Sequence, residues 1–221
     1  GSEMCIRDRL IFVKGIAVTE KHYLRKELRR DLRTRRDGMP PAHARELSER
    51  IAGHLKCLVP EPAGLAFGFY WPLGLEPDLR GLAGEWVSQG ASASLPETVR
   101  NQPLTFRPWH PGCAMVNGIW DIPVPDTDQS AEPQLLLIPC LGHDDAGFRL
   151  GYGGGFYDRT LAALRPRPVA IGIGYMAGRI PTIGPEPHDI PMDAIVTEHG
   201  VTSFSERACR FPLTATKTAA I

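Results

Sequence analysis

The sequence predicts a layered α/β domain built on a mainly parallel sheet, and three observations carry that expectation. Short apolar runs of strand character alternate with segments of helical period, the order that builds strand–helix–strand units. Gly and Pro punctuate the chain between these runs. The 221 residues, 43% apolar and 23% charged, suffice for one filled core, so a single domain is the simplest organisation.

The elements follow in order. Residues 1–18 are expected to be a tag or poorly ordered leader: Gly1-Ser2 has the look of an expression scar, and the apolar run Leu10 to Val18 is broken by Lys14 and Gly15. From Glu20 to Arg36, Leu24, Leu28 and Leu32 recur every four positions among Lys and Arg, which predicts a basic amphipathic helix ending near Gly38 and Pro40. Leu47, Ile51 and Leu55 make the same stripe on a second helix, Ala42 to Lys56. The period then changes, and Gly64 to Trp71 reads as a buried strand closed by Pro72. Leu79, Leu82, Ala83, Trp86 and Val87 return to helical spacing, with Gly90 at the C-terminal cap.

Ala91 to Leu95 and Leu104 to Trp109 are strand candidates, and Pro108 to Pro125 is expected to be irregular. Gln134 to Leu141 is a nearly continuous apolar strand; Phe156 to Leu164 is a short helix; Val169 to Tyr175 and Ala194 to Thr197 are strands. The domain is bounded as residues 19–203, with a C-terminal tail over 204–221.

Charge and composition exclude several classes of function. Lys+Arg and Asp+Glu balance at 25 each, so no global field draws the chain to nucleic acid or to an anionic membrane, and an anionic ligand must be held locally. The five cysteines (Cys5, Cys57, Cys113, Cys140, Cys209) are odd in number and form no C-x-x-C pair, which suits a reducing cytoplasm better than a disulfide framework or zinc site. No apolar run approaches the roughly 20 residues of a membrane span. A monomer or small homo-oligomer is expected.

The chemistry concentrates in Arg149 to Arg159, between a predicted strand and a helix start. Gly151, Gly153, Gly154 and Gly155 allow main-chain N–H groups to approach an oxyanion, the helix N-terminus adds partial positive charge, and Arg149 adds a full one. Taken alone, the run fits either a phosphate cradle or a tight turn; it lacks the G-x-x-x-x-G-K-[ST] pattern, so the standard phosphate loop is excluded. Asp158, in the first turn of the helix, either complements the dipole or holds Mg²⁺. His188-Asp189-Ile190-Pro191-Met192-Asp193, before the last strand, is either a turn or a second metal-binding element. On the basic helix, Lys21 and Arg25 lie one turn apart and can reach one polyphosphate; a solvated face is the alternative, and a nucleic-acid surface with Arg29, Arg30, Arg33, Arg35 and Arg36 is a third.

The segment Arg149-Leu-Gly-Tyr-Gly-Gly-Gly-Phe-Tyr-Asp-Arg159 resembles the signature of the 5-formyltetrahydrofolate cyclo-ligase family. Lys21 to Arg25 is similar to that family's N-terminal basic helix, Glu76 to its glutamate after the first strand, and the 188–193 segment to its late H-D-x-x-x-D element. The likeness runs from about Lys21 to Glu198. It implies a three-layer α/β/α fold and the ATP- and Mg²⁺-dependent cyclisation of a reduced formyl-folate, with no nucleic acid or membrane as partner. By position it places Lys21, Arg25, Arg149, Gly151, Tyr152, Gly153, Gly154, Gly155, Phe156 and Tyr157 on ATP, Asp158 and Asp193 on Mg²⁺, and Glu76 with Tyr152 and Phe156 on the folate; Arg149 and Tyr157 are the catalytic candidates. Trp71 to Leu75, Pro77 and His143 depart from the family pattern on the expected folate side. That keeps a paralogue for another formylated or pterin-like compound, and a non-catalytic nucleotide-binding protein, as alternatives.

Overall fold

The computed structural model describes residues 10–13 and 16–209, with side chains over 23–208. The hairpin β1 (Leu10–Val13) and β2 (Ile16–Thr19) leads into α1 (Glu20–Asp37) and α2 (Pro41–Leu58). Part of the expected poorly ordered leader is therefore a two-stranded hairpin. Next come β3 (Ala66–Gly68), α3 (Arg80–Ser88), β4 (Ser92–Glu97) and β5 (Thr105–Trp109). A small hairpin, β6 (Met115–Asn117) and β7 (Pro123–Pro125), occupies the stretch expected to be irregular. The second half contains β8 (Leu135–Pro139), the hairpin β9 (Gly142–His143) and β10 (Arg149–Leu150), α4 (Phe156–Ala163), β11 (Val169–Ile173), β12 (Ala194–Thr197) and β13 (Gly200–Ser203). Of the expected tail, residues 206–209 form a 3₁₀ turn, and 210–221 lie outside the described residues.

Among the described residues the main sheet has seven strands in the order β13-β12-β11-β8-β3-β4-β5, mixed but mostly parallel. The five central strands are parallel; β5 and β13 cap the two edges antiparallel. Side-chain alternation divides two cores. Leu135 and Leu137 of β8, with Val169, Ile171 and Ile173 of β11, pack against Leu47, Ile51 and Leu55 of α2 and Trp86 of α3; Leu136, Ile138 and Ala170 pack on the other face against Leu161 of α4. Helices thus cover both faces, which makes the three-layer arrangement. At Gly68 a Cβ would lie 2.7 Å from Leu136 Cδ2 and 2.8 Å from Phe106 Cε1, so strand β3 approaches its neighbours as only glycine allows.

This topology fixes where a ligand can sit. The chain enters the parallel sheet at β3, runs outward to β4, and returns on the other side of β3 to β8, so strand order reverses between β3 and β8. Open α/β sheets leave a crevice beyond the carboxyl ends of the strands at that point. Helix α1 lies beside it: a Cβ on Gly142 would meet Leu32 Cδ1 at 2.6 Å, so the glycine lets α1 settle directly on β9 and swings its basic face over the chain that follows β10.

Candidate active site

A cleft of about 610 Å³ opens at this switch point. Its floor is Tyr70 and Trp71 after β3 and Pro139 at the end of β8; its walls are the 151–155 glycine turn, α1 and residues 186–189. Gly153 (φ +100°) and Gly155 (φ +64°) take left-handed backbone that L side chains rarely adopt, and Gly155 stands at the N-cap of α4 with no side chain to cap it. The N-terminal end of α4 is thereby presented to the cleft beside Arg149.

Arginines converge on the turn from two elements. On α1, Arg29 donates Nε to the Gly151 carbonyl at 2.9 Å, and Arg36 donates Nη1 to the Tyr152 hydroxyl at 2.5 Å. Arg33 lies 5.3 Å over the Tyr152 ring. Arg25 is buried against Asp189, with Nη2 2.9 Å from Oδ2, and approaches Glu186 at 3.6 Å; its Nε has no partner. From β10, Arg149 pairs with Asp158 at 2.9 Å and lies 5.8 Å over the Tyr157 ring. Burial, with Arg25 nearby, lowers the Arg29 pKa; a concentration of cations in partly dry space is what an anion site requires.

The opposite end of the cleft is aromatic and acidic. Glu76, 7% exposed, accepts the Leu73 N–H at 2.8 Å and the Tyr152 hydroxyl at 2.5 Å. Burial raises its pKa, opposed by the Tyr152 and Leu73 hydrogen bonds and by Arg36. Burial also holds the phenols of Tyr152 and Tyr157 well above their ordinary range, so both remain neutral donors. Trp120, on the β6–β7 connection, is 60% exposed, and its ring meets that of Phe156 edge to face at 5.8 Å.

Of the residues singled out from sequence, Arg25, Glu76, Arg149, Asp158 and the whole 151–157 segment line this cleft. Lys21 belongs to α1 by its backbone, and its side chain lies outside the described residues. Asp193 requires a correction. It is 3% exposed and outside the cleft, where it accepts the Ala170 N–H at 2.8 Å and the Ser205 hydroxyl at 2.7 Å, with Arg167 and Arg207 at 3.3 and 3.5 Å. That carboxylate ties β11 to the C-terminal turn; Asp189, four positions earlier, is the acid that faces the cleft. His143 also lies away from it, buried beneath the hairpin with Nε2 3.3 Å from the Tyr175 carbonyl. Sequence reasoning missed Glu186 and Trp120 at the site; it named Asp189 only within the 188–193 element and Arg29 and Arg36 only on the alternative nucleic-acid surface. The i, i+4, i+8, i+11 spacing of Arg25, Arg29, Arg33 and Arg36 was the available signal for the arginines.

An open, mostly parallel α/β sheet with a cleft at its switch point, walled by arginines and a glycine turn, defines a protein of the doubly wound α/β class. Within that class the chain belongs to the 5-formyltetrahydrofolate cyclo-ligase family, whose sequence model matches residues 21–198. It is 30% identical to the 5-formyltetrahydrofolate cyclo-ligase of Mycolicibacterium smegmatis, over 77% of this chain and 92% of that protein. The Escherichia coli K12 enzyme of the same name is 26% identical over 75% and 96%. The solved Aquifex aeolicus 5,10-methenyltetrahydrofolate synthetase superposes with a TM-score of 0.71 at 27% identity, covering 82% of this chain and 93% of that one. A Mycoplasma pneumoniae 5,10-methenyltetrahydrofolate synthetase shares the fold, with a TM-score of 0.62 at 22% identity.

Proposed function

We propose that this protein is a cytoplasmic enzyme that couples ATP hydrolysis to the closure of 5-formyltetrahydrofolate into 5,10-methenyltetrahydrofolate. The observation that carries this reading is that one cleft holds both an anion cradle, the 151–155 turn with Arg149 and Arg29, and a separate aromatic end carrying a buried carboxylate, Glu76. The first suits a polyphosphate. The second suits a flat heterocycle with N–H donors.

Formamide oxygen is a poor leaving group, so ring closure needs activation. The formyl oxygen attacks the γ-phosphorus of ATP; an O–P bond forms as the bond to the β-phosphate oxygen breaks, and ADP departs. The second folate nitrogen then adds to the formyl carbon, forming the C–N bond and losing its proton to solvent. Phosphate leaves with the former formyl oxygen. Such a transfer depends on placement and charge neutralisation, so cations and donors suffice without a protein nucleophile.

In this scheme Arg149, Arg25 and Arg29, joined by Lys21, neutralise the triphosphate. The amides of Gly151, Gly153, Gly154 and Gly155 line its path, and Tyr157, neutral and beside Arg149, donates to the transferring group. Trp120, Phe156 and Tyr152 flank the heterocycle. Among the described residues no group of three acid, His or Cys side chains is placed to hold a metal ion by itself; a divalent ion would be held by Asp158 and Asp189, which line the cleft, together with nucleotide oxygens. That donor set fits Mg²⁺, which usually takes one or two carboxylates and keeps other oxygens; when bound it supplies charge neutralisation at the β- and γ-phosphates.

The test is a spectrophotometric assay with purified protein. Absorbance of the methenyl product should rise in the presence of 5-formyltetrahydrofolate, ATP and Mg²⁺, with one ADP per ring closed. Nucleotide binding without that product would identify a paralogue or a non-catalytic binder instead.

A further inference from the structure

Three segments distant in sequence meet at one hydroxyl. Tyr152 Oη accepts from Arg36 Nη1 at 2.5 Å and donates to Glu76 Oε1 at 2.5 Å, while Arg36 stands 3.6 Å from the same carboxylate oxygen. A guanidinium has donors only, so Arg36 must give its hydrogen to the phenol oxygen; a phenol has one hydrogen, so Tyr152 must then give its own to Glu76. The direction of the chain is forced at its first link. Leu73 N–H occupies Oε2, so a lone pair remains on each oxygen of Glu76 for a ligand.

We propose that Arg36, acting through the Tyr152 hydroxyl, is a positioning residue that orients Glu76 as an acceptor for N–H donors of the substrate ring and links that recognition to the glycine turn. The inference rests on the reading of Glu76 as the heterocycle-binding carboxylate. It goes further by assigning the residue that aims it, one at the last turn of α1 for which the sequence suggests a solvated basic face or a nucleic-acid surface. Arg36 is also tied to the turn itself, because Tyr152 lies between Gly151 and Gly153. Breaking the Tyr152 hydrogen bonds would therefore also release one tie of the glycine turn.

The surroundings of Glu76 give the chain a pH signature. Facing it are Arg36 from α1, Tyr152 from the glycine turn, Tyr157 from α4, and Tyr70, Cys140 and Tyr175 from the segments after β3, β8 and β11. Burial keeps the thiol and phenols neutral at physiological pH, the Cys140 thiol being pushed up to about 12, so Arg36 is the cation of this group. Burial raises the Glu76 pKa and Arg36 pulls it down; removing Arg36 therefore lets the carboxyl take up its proton at higher pH. A protonated Glu76 that turned its new hydrogen toward Tyr152 would displace the phenol hydrogen from its acceptor, while the Arg36 link keeps its direction.

The experiment compares wild type, Arg36→Gln, Arg36→Lys and Tyr152→Phe, with Arg30→Gln as a surface control. Two readouts are taken: the pH profile of kcat/KM for 5-formyltetrahydrofolate, and the titration of the ¹³C-labelled Glu76 carboxyl in ligand-free protein. Arg36→Gln should raise KM for the folate about tenfold with little change in kcat, and move the acid limb upward by about one pH unit. Arg36→Lys should restore the limb, since it keeps a cationic donor. Tyr152→Phe combined with Arg36→Gln should cost little more than either alone, because both interrupt the same Arg36–Tyr152–Glu76 chain. Unchanged KM and acid limb in Arg36→Gln would overturn the proposal, as would equal damage in the Lys variant with the Glu76 titration unmoved, which marks a merely structural role. A wild type that lacks cyclo-ligase activity while its Glu76 titration still depends on Arg36 would sink the functional reading and leave the Arg36–Glu76 link standing.

Discussion

Arg149 and Asp158 grip the same residue from both sides: Arg149 Nη1 donates to the Ile190 carbonyl at 3.3 Å, Asp158 Oδ1 accepts the Ile190 N–H at 3.1 Å, and the two are themselves joined at 2.9 Å. This closed ring binds β10, α4 and the 186–190 segment into one wall, with the glycine turn bridging the pair. Arg149 is thereby held at fixed height above α4.

Breaking that ring should damage activity and stability together. Asp158→Ala leaves a largely buried guanidinium unpaired, and we expect a loss of about 3 kcal/mol in urea denaturation, with kcat down at least about 100-fold. Asp158→Asn keeps the Ile190 contact, so it should recover most of the stability and little of the turnover. Equal recovery of both would show that the charge has no role in the reaction.

Asp189 and Asp193 should separate cleanly. Asp189→Asn is expected to lower kcat/KM for ATP about 10–100-fold and to raise the Mg²⁺ concentration needed for half-maximal rate. Asp193→Asn is expected to cost about 1–3 kcal/mol of stability through its contacts to Ala170 and Ser205, with the Mg²⁺ dependence unchanged. A Mg²⁺ shift in the Asp193 variant alone would reverse the assignment.

Gly68→Ala tests the close approach of β3 to its neighbours. The added methyl would sit 2.7 Å from Leu136 Cδ2 in an interior with no slack, and a loss of about 1–3 kcal/mol should appear as a lower denaturation midpoint. No loss would mean that the Phe106 and Leu136 side chains repack freely.

His143 predicts a pH dependence of stability unrelated to catalysis. Burial lowers its folded pKa, so below about pH 6.5 the unfolded chain binds more protons than the folded one. Stability is therefore full above the unfolded pKa and falls as pH descends through the folded value. Denaturation midpoints should drop as pH falls below about 6.5 in the wild type, and less steeply in His143→Gln.

Much of the fold was legible because its signals are local. The Leu24–Leu28–Leu32 stripe gave α1, the run around Leu135–Pro139 gave the central strand β8, and Ala194 to Thr197 gave β12 with the bounds the structure has. The hairpins were not legible: β9 and β10 are two residues each, and β6 and β7 pair across a stretch rich in Pro and Gly. Strands that short gain their definition from pairing partners, which no local pattern specifies.

That the glycine turn, Arg149 and Asp158 belong together was readable in sequence because left-handed backbone demands glycine, and glycine in such a run leaves a mark; the structure places all of them on one cleft. Which acid of the 188–193 segment lines the cleft beside it was not readable. Asp189 and Asp193 stand in one motif with the same chemistry; the turn into β12 sends Asp193 back to the amide of Ala170 and Asp189 out to Arg25. Arg36 is the same kind of case. Its charge is written in the chain, but its partners lie on Tyr152, 116 positions away, and on Glu76, so only the packing of α1 over Gly142 decided that it would point inward. Residue type sets what a side chain can bond to; tertiary structure decides which partner comes within the few ångströms where that capacity has any energy.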